Sequence, residues 1–234
     1  MTPQAGPRDA LAGHRWFAGE GDAVRAALAA TARTLDIARG TQIFARGEPG
    51  ARLLLLREGV VKISTVSLDG RELVLSFVQG GELLGEIAAL DGGPRTADAT
   101  AMTAVSALAW PRGAFLQVMR DHPDFALRVV TLLCERLRHT NVMVEAAVQL
   151  SMAARMARGL ASLLKTAGRE TPEGWRLDFK LSQRDLGAYV GLARENVNRQ
   201  LKQWEQAGLV RLEKGEIIVR DRAEVERLGE IEGV

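Results

Sequence analysis

The pattern of apolar and polar positions divides the chain into a β-rich part and a helical part. From residue 34 to residue 110, short apolar runs recur between turn residues such as Gly, Pro and Asp, which is typical of strands. The predicted strands are Thr34–Ala38, Gln42–Ala45, Leu53–Arg57, Val60–Ser67, Glu72–Val78, Ala99–Ala104 and Val105–Trp110. Asp69-Gly70 lies between two alternating runs and predicts a hairpin. Many short strands at this spacing predict a small barrel or jelly roll.

Elsewhere the apolar residues recur at helical spacing. The predicted helices are Trp16–Ala32, Arg112–Met119, a long helix over 124–150, and Met152–Ala167. The long helix carries a seam at alternating three- and four-residue steps, formed by Val130, Leu133, Leu137, Thr140, Val144 and Ala147. A second apolar stripe lies beside it: Leu132, Met143, Ala146 and Leu150. Two apolar faces on one helix favour a homodimer in which two long helices pair.

The last third of the chain predicts a helix-turn-helix followed by a hairpin. Ser182 with Asp185 resembles a capping box, which opens a helix, and Gly191 permits a tight turn. The predicted elements are a polar loop at Arg169–Gly174, a strand at Trp175–Phe179, helices at Gln183–Val190 and Arg194–Ala207, and wing strands at Leu209–Leu212 and Glu216–Arg220. We therefore expect an α+β chain with three regions. They are 1–123 with the barrel at 34–111, a dimerisation helix and hinge at 124–150, and a winged helix-turn-helix domain at 151–234.

Composition and charge narrow the classes of protein. The chain has 234 residues, of which 47% are hydrophobic and 26% charged, as in ordinary globular proteins. Its longest strongly apolar run, Leu53–Leu56, is too short to span a membrane, and the first residues contain no hydrophobic signal core. The single cysteine, Cys134, excludes an internal disulfide. We expect a cytoplasmic protein with no membrane partner.

Positive charge is concentrated in the C-terminal region. Residues 150–222 contain 14 Lys and Arg against 9 Asp and Glu, whereas the whole chain has a net charge of +2. An excess of positive charge on the predicted helix-turn-helix indicates contact with nucleic acid.

Residues 85–97 (GEIAALDGGPRTA) carry a pattern suited to a small phosphate. Gly85 lets the backbone come close, and the amides that open the Glu86–Leu90 turn lack internal partners. Arg95 adds a planar, permanently charged fork. Glu86 would repel phosphate, so accepting hydrogen bonds from ribose hydroxyls is the interaction that suits it.

This string resembles the phosphate-binding cassette of the cyclic-nucleotide-binding domain family, and it implies a cyclic-nucleotide-binding β-roll. In that family Gly-Glu, an apolar residue, Ala and a spacer precede Pro-Arg and Ser/Thr/Ala-Ala. The resemblance implies that Glu86 holds the ribose 2′-hydroxyl, that Arg95 holds the cyclic phosphate, and that Thr96 lies near the phosphate or base. The backbone amides expected to complete the cradle are those around Gly85, Ile87 and Ala88.

The second predicted helix of the helix-turn-helix begins Arg-Glu-Asn-Val-Asn-Arg. It resembles the recognition-helix signature of the cyclic-AMP receptor protein/FNR (CRP/FNR) family of bacterial transcription regulators, Arg-Glu-Thr-Val-Gly/Ser-Arg. The resemblance implies double-stranded DNA with a TGTGA-like half-site, repeated as a palindrome for the homodimer, and RNA polymerase as a further partner. The expected base contacts are Arg194, Glu195, Asn198 and Arg199, and the expected phosphate contacts are Ser182, Gln183 and Lys202.

The long helix has an implied role in ligand binding as well. In bacterial members of the family, a Thr and its neighbour reach the nucleobase, one from each subunit. Thr140 and Asn141 align with that pair through their position after Arg136-Leu137-Arg138. The family often has Ser where Asn141 stands, and Asn can also donate and accept. A Thr directly after the cassette arginine, as Thr96 is here, also occurs in relatives that bind cGMP. We therefore keep cGMP as a possible ligand, although we favour cAMP.

Two other functions would fit parts of this pattern. A barrel metalloenzyme needs a histidine-rich metal set, and residues 34–111 contain no His and no Cys, so we expect no catalytic and no metal-binding residues. The nearer alternative is a CRP/FNR-type regulator that binds DNA independently of a cyclic nucleotide or senses another ligand.

Overall fold

The computed structural model describes Leu11, Phe17 and residues 21–230. The predicted start of the first helix at Trp16 lies outside the described residues, and the described helix α1 is Asp22–Thr31. The strands that follow are β1 (Arg33–Ile37), β2 (Gln42–Phe44), β3 (Arg52–Glu58), β4 (Val60–Val66), β5 (Glu72–Gln79), β6 (Leu83–Leu84), β7 (Asp98–Ala101) and β8 (Val105–Pro111). A short helix, α2 (Glu86–Asp91), lies between β6 and β7.

These strands form a β-roll of two four-stranded sheets, with strand orders β1-β8-β3-β6 and β2-β7-β4-β5. The predicted strands are present, with ends that differ by one or two residues except in β7. That strand ends at Ala101 instead of Ala104, because the following residues turn the chain into β8. The two-residue strand β6 was not predicted, since two residues are too few to show a period.

The run Leu53–Leu56 explains how the roll is packed. All four leucines of β3 are fully buried, and successive side chains on a strand point to opposite faces. Leu53 and Leu55 belong to a core with Trp110 and Phe115, whereas Leu54 and Leu56 belong to a second core of strand residues. A strand buried on both faces needs a continuous apolar run, as this one has.

The helices after the roll are α3 (Arg112–Asp121), α4 (Pro123–Gln149) and α5 (Met152–Ala167). The long helix α4 has 27 residues, close to the predicted span. The chain divides into two compact units at Arg136 and Leu137, within α4, and Val66–Leu75 groups with the second unit. None of the helices in the described part of the chain is both long and apolar enough to cross a membrane.

The C-terminal elements are β9 (Gly168–Thr171), β10 (Gly174–Leu177), α6 (Gln183–Val190), α7 (Arg194–Gln206), β11 (Val210–Glu213), β12 (Glu216–Val219) and α8 (Arg222–Leu228). The strands form one sheet with the order β11-β12-β10-β9. The predicted polar loop at Arg169–Gly174 was wrong, because residues 168–171 pair with β10 as a strand. Helix α8, capped by the Asp221 side chain, was not predicted. The α+β architecture, with a β-roll, a long helix and a winged helix-turn-helix, is confirmed.

Candidate ligand and nucleic-acid sites

The first backbone amides of α2 lie directly after the turn that joins the helix to β6. Gly85 adopts a left-handed conformation with φ +78°, which favours glycine. The first intrahelical donor is the Ala89 amide, which bonds the Gly85 carbonyl at 3.3 Å. The amides of Glu86, Ile87 and Ala88 come before this first bond, so no carbonyl within the helix can accept from them. The short helix thus begins with the free amides that the sequence predicted.

The Arg95 side chain lies inside the roll, only 5% exposed. Its Nη1 donates to the Gly85 carbonyl at 2.7 Å, and its Nη2 donates to the Arg52 carbonyl at 2.6 Å. The guanidinium carbon lies 4.2 Å from the centre of the Phe44 ring. Burial lowers the pKa of the Arg95 guanidinium from its ordinary value, and the nearby charge of Arg52 adds to that effect.

Arg95 retains donors for an anion. A guanidinium has five N–H groups, and the two carbonyl bonds use two of them. The Nε atom is buried and has no hydrogen-bond partner in the structure. A buried donor without a partner is costly, because it has lost its bonds to water. The cassette arginine is therefore a fixed cation with unused hydrogen-bonding capacity.

Glu86 is the second buried charge of the cassette, with 4% exposure. Its Oε1 forms an ion pair with Nη1 of Arg136, which comes from α4. The other terminal nitrogen of Arg136 donates to the Leu83 carbonyl, at the strand that precedes the cassette. Burying a carboxylate is costly unless a cation compensates it, and Arg136 supplies that cation.

A loop across the cassette holds it in place. The Arg95 amide donates to the Glu48 carbonyl at 2.8 Å, and the Gly47 amide donates to the Arg95 carbonyl at 2.9 Å. A Cβ on Gly50 would lie 2.4 Å from the Ala88 Cβ, so the loop and α2 are in direct contact there. The side chains of two predicted cassette residues point outward, since Ile87 is 45% exposed and Thr96 is exposed.

The helix-turn-helix is built as its sequence predicts. The Ser182 hydroxyl accepts from the Asp185 amide at 3.0 Å and donates to the Asp185 carboxylate at 2.5 Å, which caps α6. Gly191 adopts a left-handed conformation with φ +69° in the turn. A Cβ on Gly187 would lie 2.6 Å from the Leu192 carbonyl oxygen, so the close approach of α6 and the turn requires glycine.

A groove of about 420 Å³ lies between the start of α6, helix α7 and the wing. Four of the predicted DNA contacts line it: Ser182, Gln183, Arg194 and Asn198. The other three, Glu195, Arg199 and Lys202, are exposed on α7 and do not line this groove. Val197, Leu201 and Trp204 form the buried side of α7, so the predicted DNA contacts of this helix lie on its other sides.

The remaining predicted ligand contacts, Thr140 and Asn141, are exposed residues of α4 in the second unit. Most of the predicted seam lies on or beside an outward stripe of α4: Val130, Leu137 and Val144 belong to both, and Thr140 and Ala147 are exposed beside the stripe. Leu133 is half-buried, because it lies one turn after buried Val129 and shares the inward face. The outward stripe is Leu127, Val130, Cys134, Leu137, Asn141, Val144 and Val148. Asn141 lies on this outward stripe, and Thr140 is the exposed residue next to it.

Comparison with known proteins decides the family. A family model for the cyclic nucleotide-binding domain matches residues 34–122, and one for the Crp-like helix-turn-helix domain matches residues 154–228. A curated "CRP-like cAMP-activated global transcriptional regulator" of Mycobacterium tuberculosis is 32% identical over 211 residues, which cover 90% of this chain and 94% of the relative. The chain belongs to the CRP/FNR family of transcription regulators.

Other regulators are similar to this chain over most of their length. The "Cyclic AMP receptor protein" of Thermus thermophilus is 32% identical over 190 residues, covering 81% of this chain and 85% of the relative. A solved CRP-family transcriptional regulator of the same organism has a TM-score of 0.73 with 26% identity, covering 83% and 96% of the two chains. A c-di-GMP-responsive regulator of Xanthomonas campestris, with a TM-score of 0.76 and 23% identity, covers 86% and 100% and shares the fold.

Sequence reasoning about the regulator missed several residues at these sites. Arg136 pairs with Glu86, yet it was used only to align Thr140. The sequence did hint at a partner for Arg136. This arginine lies four residues after Leu132 on the second apolar stripe of the long helix, and a charge on an apolar face needs a compensating charge. Phe44 under Arg95 left no signal of its own. Lys180 and Arg184 also line the α6–wing groove and were not assigned.

Proposed function

We propose that this CRP/FNR regulator is a homodimer that binds cAMP, with cGMP as the second candidate, and then binds a TGTGA-like palindrome in DNA. The observation that carries the proposal is the buried Arg95 guanidinium, whose Nε has no partner, beside the buried carboxylate of Glu86. A cation with spare donors suits a cyclic phosphate, and a carboxylate suits ribose hydroxyls. Two relatives whose names refer to cAMP favour that nucleotide.

In this proposal the cassette holds the nucleotide through both its side chains and its backbone. Arg95 donates to the cyclic phosphate, and the amides of Gly85, Ile87 and Ala88 complete the cradle around the same oxygens. Glu86 accepts from the ribose 2′-hydroxyl while Arg136 keeps its charge compensated. Thr96 is exposed beside Arg95, where a hydroxyl can meet the phosphate or the base.

Dimerisation is proposed along the outward stripe of α4. Leu137 is 61% exposed, Val144 is 60% exposed and Val148 is 81% exposed in the single chain. Steps of three and four residues bring such side chains onto one face, which two parallel helices can bury against each other. Thr140 and Asn141, on or beside this stripe, would then contact the nucleobase from the two subunits.

DNA recognition is proposed for α7 and the start of α6. Arg194, Glu195, Asn198 and Arg199 would read base edges, while Ser182, Gln183 and Lys202 would contact phosphates. The ligand would act by binding more tightly to the dimer arrangement that fits the operator, since only differential affinity can shift that equilibrium. The bound dimer would then contact RNA polymerase. In this proposal, region 1–123 binds the nucleotide, region 124–150 forms the dimer and the hinge, and region 151–234 binds DNA.

Titration of the purified full-length protein with cAMP and with cGMP tests the proposal. We expect heat of binding with one or both nucleotides, and nucleotide-dependent retention of a duplex carrying inverted TGTGA half-sites. Heat without any change in retention would contradict the coupling. Retention without heat from either nucleotide would instead support a regulator that acts independently of cyclic nucleotides or senses another ligand.

A further inference from the structure

The two arginines of α7, Arg194 and Arg199, differ in their side-chain hydrogen bonds. Nη2 of Arg199 donates to Oδ1 of Asn196 at 2.9 Å, one turn earlier on α7. Residues three apart on a helix are neighbours, so this contact forms within the helix surface. Among the residues that the structure describes, Arg199 has no carboxylate partner, and Arg194 has no comparable hydrogen bond to a side chain. Of these two arginines, only Arg199 is held by a side-chain amide.

The chemistry of Asn196 suits this task. Its carbonyl oxygen accepts from the guanidinium, whereas the reversed amide would place an NH₂ against another donor. Asn is neutral, so it orients the arginine without cancelling the positive charge that attracts DNA phosphates. A carboxylate at the same place would hold the arginine too, but it would reduce that charge. The recognition-helix signature has Thr at this position, a shorter side chain with a hydroxyl in place of the amide oxygen.

A held arginine has an advantage in reading a base. A free arginine side chain loses rotamer freedom when it is fixed against a guanine, and that loss weakens binding. The bond to Asn196 uses one of five N–H groups and leaves enough for a bidentate contact with O6 and N7. The guanidinium plane is restricted before DNA arrives, so less freedom remains to be lost.

We propose that Asn196 is a positioning residue that sets the base specificity of Arg199. This inference rests on the proposed sequence-specific binding of DNA. It predicts that Asn196 affects discrimination only at the base pair that Arg199 reads. The base pair read by Arg194 and the affinity for unrelated DNA should not depend on Asn196.

A double-mutant cycle tests the proposal. The probe is the duplex that the wild-type protein selects from a randomised pool with cAMP and cGMP present, together with each of its single-base-pair variants. Asn196→Ala should lower discrimination by roughly 2- to 10-fold at the pair whose discrimination Arg199→Ala abolishes. Added to Arg199→Ala, Asn196→Ala should change nothing further. Gln203→Ala, which removes another exposed amide of α7, is the matched control and should leave discrimination unchanged.

Several results would overturn this inference. Asn196→Ala could weaken binding to every duplex equally, or keep its full effect in the Arg199→Ala protein; either result would assign it a structural role. An unchanged profile would remove any role. If the wild-type protein selects no sequence, the proposed sequence-specific function fails together with this inference. A selected sequence with an unaltered Asn196→Ala profile overturns the inference alone.

Discussion

The Arg136 guanidinium forms an ion pair with the buried carboxylate of Glu86. One partner comes from a six-residue helix in the cassette, and the other comes from the long helix α4, fifty positions later in the chain. The same arginine also bonds the carbonyl of Leu83, just before the cassette. The cassette is thus tied to α4 through a compensated charge, which gives this pair a measurable effect on stability.

Replacing Arg136 by Gln should destabilise the protein. The change leaves the buried Glu86 carboxylate without its ion-pair partner, and breaking a buried pair in this way is strongly unfavourable. Because the Arg136 side chain is itself 33% exposed, we expect a loss of about 1–3 kcal/mol in the free energy of unfolding. Urea titration measures it. Arg138→Gln removes an exposed arginine two residues on and should change stability by less than about 0.5 kcal/mol. Equal urea midpoints for both variants would contradict the prediction.

Replacing Gly85 by Ala should weaken nucleotide binding. A Cβ at residue 85 would lie 2.3 Å from Nη1 of Arg95, so the guanidinium must leave its position. Gly40→Ala is the matched control, because Gly40 has φ +83° and nothing within 4 Å of the added Cβ. Both variants incur the backbone strain of about 1–2 kcal/mol, but only Gly85→Ala displaces Arg95. We expect calorimetric affinity at least about tenfold weaker for Gly85→Ala than for Gly40→Ala, since one lost charge-assisted bond is worth that much. Matching affinities would exclude Arg95 from the cradle.

A charge on the outward stripe of α4 should dissociate the dimer. Leu137→Glu removes an apolar contact from each subunit and adds a carboxylate at the proposed interface, at a cost of about 3 kcal/mol or more per dimer. Sedimentation equilibrium of the purified variant measures the change. Val142→Glu is the matched control, because Val142 is 37% exposed but lies off the stripe. A dimer that tolerates Leu137→Glu and not Val142→Glu would place the interface on another face of the helix.

Arg194 and Lys202 should differ in their effect on DNA binding. Arg194→Ala should cost roughly 1–3 kcal/mol of discrimination between the selected site and its variants. Lys202→Ala should weaken all duplexes alike and lower the salt slope of binding by about one, as expected for one phosphate contact. Binding titrations at several salt concentrations give both quantities. A uniform loss for Arg194→Ala would exclude the base-reading role.

The sequence was most informative where the signal is local. Ser182 and Asp185 are three residues apart and cap α6, as their pattern predicts. Gly85 was predicted to let the backbone come close to a ligand, and it precedes α2 with a left-handed φ of +78°. The Arg136–Glu86 pair could not be predicted in this way, since its partners are distant in sequence and meet only through the tertiary fold. Leu133 is the one residue of the predicted seam that is half-buried, and its burial could not be predicted because it depends on the rest of the chain.

The contact between Gly50 and Ala88 has a consequence for how the regulator tolerates change. The loop has no side chain at residue 50 to yield, and the atoms it meets include the backbone of α2. A methyl group there would displace Ala88 in the first turn of α2, although residue 50 bears no charge and no proposed ligand contact. Variation in this loop would therefore tune affinity for the proposed nucleotide from outside the proposed cradle.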